Sequence, residues 1–73
     1  MAKYNGHKNW NHWNVSLWIN NDESLYSHAL HCIRIATNRR QAAEFFLGWI
    51  GHTETPDGAP YSLSSVIAAM RGL

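Results

Sequence analysis

His28, His31 and Cys32 stand at i, i+3 and i+4, a spacing that puts three donors on one side of a helix. His28 with Cys32, or His28 with His31, would suit a zinc ion, whose usual ligands are imidazole nitrogen and thiolate sulfur. A closed site needs two or more further ligands, and His7, His12 and His52 offer no second pair at ligand spacing. Cys32 also lies at the edge of an apolar stripe, where a buried thiol is ordinary. The preferred reading is a core cysteine with surface histidines, and no metal or other cofactor is expected. The same thiol beside an imidazole resembles an activated nucleophile, but that chemistry also requires an oriented third group and a concave pocket that excludes water. Asp22 and Glu23, the adjacent carboxylates, are explained by a helix start, and the scattered glycines form no phosphate loop. No enzymatic activity is expected.

Binding chemistry is better represented. Arg34, Arg39 and Arg40, with Lys3 and Lys8, make a small basic patch able to meet phosphates. Six Lys and Arg against five Asp and Glu nevertheless leave a net charge of only +1, without the basic field of a nucleic-acid binder or the acidic field of a DNA mimic. A DNA-binding accessory or regulatory role through this patch is the alternative function. The unusual count is four tryptophans, with Trp10, Trp13 and Trp18 close together. At about 100° per residue, Trp10 and Trp13 share a side with Leu17 while Trp18 projects elsewhere. Partly exposed tryptophans are favoured interface anchors, because they bury large area at low rotamer cost. The expected partner-binding residues are therefore Trp18, Tyr26, Arg39, Arg40 and Trp49. Phe45 beside Phe46, and Trp49 beside Ile50, each send one member away from the core stripe, giving a second apolar surface suited to self-association as a homodimer.

The elements that must position these side chains read as helices. Residues 1–9 are polar, carry the Asn5-Gly6 turn signal and are expected to form a flexible arm. Trp10 to Asn20 reads as a helix buried on most sides, capped by Asn9 or Asn11. A strand over Val15 to Ile19 stays open but is disfavoured, since Leu17, Trp18 and Ile19 are consecutive and break alternation. Asn20 and Glu23 have capping-box spacing and start a second helix, whose apolar row is Leu25, Ala29, Ile33 and Ala36. Asn38 and Gln41 repeat that spacing, so the helix either restarts there or runs on; a restart or kink is favoured. Ala42, Ala43, Phe46, Leu47 and Ile50 continue a stripe that closes at Gly51. A loop follows over His52 to Pro60, then Ser62 caps a last helix with Leu63, Val66, Ile67 and Met70 on one face.

The sum is an all-α fold, one helical domain over 1–73 built as a small bundle of three to four short helices. Tryptophan is expected to supply most of its core area. Hydrophobic residues at 45% against 15% charged describe a folded module. No apolar run approaches the roughly 18 residues of a spanning helix, and the N-terminus lacks the apolar segment of a secretory signal. One cysteine rules out an internal disulfide framework. The expectation is a soluble cytoplasmic protein without membrane contact.

The run Asn9-Trp10-Asn11-His12-Trp13-Asn14-Val15-Ser16-Leu17-Trp18-Ile19, then Asn20-Asn21-Asp22-Glu23 and Tyr26, resembles a family of small, largely uncharacterised proteins of phages, plasmids and other mobile elements. Their usual signature is Asn-Tyr-x-Thr-Trp-Asn-Val-x-Leu-Trp-Ile, followed by an Asn-Asp-Glu start and a tyrosine. Asn9, Trp13, Asn14, Val15, Leu17, Trp18 and Ile19 match it residue by residue. Trp10 stands where tyrosine is usual and His12 where threonine is usual, so the threonine cap of that pattern has no counterpart here. The match is strong over the first third of the chain and weak beyond it. The resemblance implies a mobile-element origin and no known enzyme activity. In size, near-neutral charge and single-domain form the chain is similar to inhibitors of CRISPR effector complexes, an analogy of form and not of motif. A host defence complex, bound by steric occupation of a protein surface in the host bacterial cell, is the expected partner.

Overall fold

The computed structural model describes residues 9–73 as four α-helices: α1 (Trp10–Asn21), α2 (Glu23–Ile35), α3 (Arg39–Ile50) and α4 (Leu63–Met70). The all-α bundle expected from the sequence is the observed fold. Of the expected arm over 1–9, all but Asn9 lies outside the described residues.

Local chemistry sets the helix ends. Asn9 is extended and its side chain accepts from the His12 amide at 3.0 Å, so Asn9 and not Asn11 caps α1. Asp22 is the single residue between α1 and α2: its amide donates to the Trp18 carbonyl at 3.0 Å, and its Oδ1 accepts from the Leu25 amide at 3.0 Å. The expected Asn20/Glu23 capping box is therefore wrong. A cap needs extended backbone, which the chain adopts at Asp22, whereas Asn20 is still helical and its Nδ2 donates back to the Ser16 carbonyl at 2.8 Å.

The helix does restart at Asn38, whose Oδ1 accepts from the Gln41 amide at 2.8 Å. Gln41 Oε1 reaches one residue further back than a capping box, accepting from the Thr37 amide at 2.8 Å. Gly51, with φ of 71°, closes α3 in the left-handed region. Ser62 and Ser65 form a reciprocal capping box at the start of α4.

α1 packs on α2 and α4, and α3 packs on α2 and α4, so the principal contacts close a ring. Inside it lie Val15 and Ile19 of α1, Ala29 and Cys32 of α2, Ala42, Ala43, Phe46 and Ile50 of α3, Val66, Ala69 and Met70 of α4, and Ala59 from the preceding loop. The core holds no tryptophan, contrary to expectation. Trp10 and Trp49 are exposed, and Trp13 and Trp18 are half-buried. Five buried alanines let the elements approach closely, and Phe46, Ile19 and Met70, the largest buried side chains, fill the space left.

α1 is buried on most sides, as expected: its four buried residues spread over about 200° of the helix circumference at about 100° per residue. Its inward face is Val15 and Ile19 with the polar Asn14 and Ser16, while Trp10 and Leu17 are exposed. Two inward polar groups and several outward apolar ones erase the periodicity that would mark the buried side. Among the described residues, no helix is long and apolar enough to cross a membrane.

Candidate functional site

Ala36 to Asn38 fold α3 back along α2, so that residues near the start of α2 meet residues near the end of α3. His28 stacks on Trp49 with ring centroids 3.8 Å apart and planes at 20°. Phe46, fully buried, braces the pair from behind at 5.8 Å from Trp49 and 6.1 Å from His28. His31 stands 5.8 Å from His28 on the next turn. Burial, and then the neighbouring His31, hold the His28 imidazole below its usual pKa. Trp49 remains 47% exposed, Phe45 one turn earlier is exposed, and Ile35, also exposed, lies at the other end of the helix pair, where α2 joins α3.

The five residues expected to bind a partner do not form one patch. Trp49 belongs to the α2/α3 face. Arg39 and Arg40 lie at the opposite end of α3, about 15 Å along a helix from residue 49. Arg39 Nε donates to the Met70 carbonyl at 3.4 Å, serving the C-terminal end of α4, and Arg40 Nε lies 3.8 Å from Glu44 Oε2 on its own helix. Tyr26 is exposed and two residues from His28, a separation that puts side chains on different sides of a helix. Trp18 is half-buried and not a free anchor: its indole N–H donates to Asp57 Oδ2 at 2.9 Å. As for a zinc site, Cys32 is buried with its thiol pKa pushed up by burial and His28 is engaged with Trp49. Among the described residues no group of three His, Cys, Asp or Glu side chains converges to hold a metal ion.

Sequence reasoning missed how the 52–60 loop is fastened. The Gly58 amide donates to the Thr55 carbonyl at 2.8 Å, closing a turn over Pro56 and Asp57, and Gly58 takes φ of 93°. That turn is clasped to α1. Asn14 Nδ2 donates to Asp57 Oδ2 at 2.9 Å, Thr55 Oγ1 donates to Asn14 Oδ1 at 2.6 Å, and Thr55 Oγ1 accepts from the Ala59 amide at 3.0 Å. Hydrogen bonds from Asn14 and then Trp18 hold the Asp57 carboxyl below the usual carboxylate range. The available signal was Asn14 and Trp18 at i, i+4, two donors on one helix face, with an aspartate in a Pro-Asp-Gly turn downstream.

Docking the loop leaves a cleft of about 310 Å³ between it, the end of α1 and the start of α2, walled by Trp18, Tyr61, Leu25 and Pro56 and edged by Asp22, Glu54 and His52. Burial, and then Asp22, push the Tyr61 hydroxyl above its ordinary pKa.

No curated protein and no solved structure matches the chain. A family model does, across residues 1–68, a span that takes in the tryptophan-rich run, the clasped loop and most of α4. The chain belongs to that family, described as a family of unknown function, DUF7249.

Proposed function

We propose that this chain is a binding protein of phage or mobile-element type that acts by covering a surface of another protein with its α2/α3 face. The observation that carries the reading is Trp49, 47% exposed and yet held in place by the His28 stack and the Phe46 ring. An aromatic anchor ordered before binding loses little rotamer freedom when a partner closes over it. Phe45 and Ile35 extend the exposed apolar area on the same helix pair. The resemblance of the first third of the chain to mobile-element proteins extends the proposal to a partner, a host defence complex of CRISPR type inside the bacterial cytoplasm. The nucleic-acid alternative is less favoured, because Arg39 bonds to Met70 and Arg40 pairs with Glu44.

The test is a tagged pull-down from a lysate containing an active CRISPR system, washed at low and high salt, with bound protein and nucleic acid identified separately. Recovery of the effector complex at high salt, lost in Phe45→Ser and Ile35→Ser variants that melt like the parent, is the expected result. Recovery of salt-labile nucleic acid alone would overturn it.

A further inference from the structure

We propose that the cleft between α1, α2 and the 52–60 loop binds an organic cation of the alkylammonium or guanidinium type, independently of the α2/α3 face. Its volume of about 310 Å³ lies at the small end of the range for ligand pockets, enough for a cationic head group and a short apolar stem. Trp18 and Tyr61 supply aromatic surface and Leu25 and Pro56 supply apolar wall. The Trp18 indole N–H is already committed to Asp57, so the indole offers a ligand its carbon surface, which attracts cations through the ring quadrupole.

The charges at the edge have one sign. Asp22 uses Oδ1 to cap α2, leaving Oδ2 for a ligand, and neither Asp22 nor Glu54 has an ion-pair partner among the described residues. No lysine or arginine lines the cleft. The wall carrying Glu54 is held in place by the antiparallel bridge between Glu54 and Pro60 and by the Tyr61 amide donating to the Thr53 carbonyl at 3.0 Å. A metal ion does not fit this donor set, since the acidic and imidazole groups do not converge. An extended cation does, with its charge between the carboxylates and its stem on Trp18 and Tyr61.

The test follows the Trp18 indole resonance by two-dimensional NMR, assigned with Trp18→Phe, during titration with n-butylammonium and methylguanidinium chlorides. Matched sodium chloride and 1-butanol are the controls. Blocked Gly-Lys-Gly and Gly-Arg-Gly peptides form a second arm. A saturable shift in the millimolar range with the cations and none with butanol is expected. Glu54→Gln and Asp22→Asn should each weaken binding by about three- to tenfold, the scale of one partly screened ion pair; asparagine at 22 still caps α2, so the fold is kept. Peptides binding more tightly than the free ions would identify the source as a partner's lysine or arginine side chain, and the reverse order a free small amine. Unsaturable shifts, equal shifts with butanol, or unchanged affinity in both variants would overturn the proposal.

Discussion

Asn14→Ala breaks the clasp that docks the loop on α1. Asn14 is 1% exposed and Thr55 3% exposed, so when Asn14 Oδ1 is removed the Thr55 hydroxyl proton has neither its 2.6 Å acceptor nor water. Stranding a buried hydroxyl costs about 1–3 kcal/mol, and the lost amide packing brings the expected destabilisation to about 2–3 kcal/mol. That is about half the stability of a domain of this size, on the order of 5 kcal/mol, and lowers Tm by about 10–20 °C. Thr55→Val strands the same bond from the other side, along with the Ala59 amide. If the two side chains act as one unit, the double variant loses about 1 kcal/mol less than the sum of the singles. Urea unfolding followed by tryptophan fluorescence measures all three, with an unchanged slope confirming a stability effect. A loss below about 0.5 kcal/mol for Asn14→Ala, or strict additivity in the cycle, would refute the clasp.

Three other outcomes are expected. The Asp57 carboxyl is held low by Asn14 and Trp18, so its contribution to stability is present above the ordinary aspartate pKa of about 4 and is lost as pH falls through its lower folded value. Thermal melts at descending pH should show this loss, and Asp57→Asn should flatten it; an unchanged profile in that variant contradicts the assignment. Gly51→Ala should destabilise by about 1 kcal/mol, because the φ of 71° is unfavourable for alanine even though the added Cβ meets nothing closer than 4.0 Å; a neutral result in chemical denaturation would place the chain end of α3 in a different conformation. The Cys32 thiol is buried and its pKa is raised, so an aromatic disulfide reagent should label it only as fast as the domain opens, with a rate that climbs with urea. Rapid labelling of the native protein would show that the thiol is not core.

The helix ends were legible because they are local. Asn9, Asn38 and Ser62 each bond an amide three residues on, Gly51 takes the left-handed conformation that glycine tolerates better than other residues, and the Pro-Asp-Gly run turns where it stands. Even the error at Asn20 is local and small: the cap falls two residues later, at Asp22, and the shorter connection wins by making Asp22 end one helix and begin the next.

What the amino-acid sequence determined by itself is thus the all-α class, the helix ends at Asn38, Gly51 and Ser62 and the inward stripe of α3, all of which follow from contacts within a few residues. Tertiary structure alone decided the rest. Which side of α1 is buried depends on a turn some forty residues later that supplies partners for Asn14 and Trp18, and no periodicity within α1 can reveal those partners. The same holds for the tryptophans, whose size suggested a core role. Close packing on alanine excluded them from the interior, stacking one on His28 and setting another in the wall of the cleft, because the space open to a large side chain is set by the neighbours it meets and not by its own hydrophobicity.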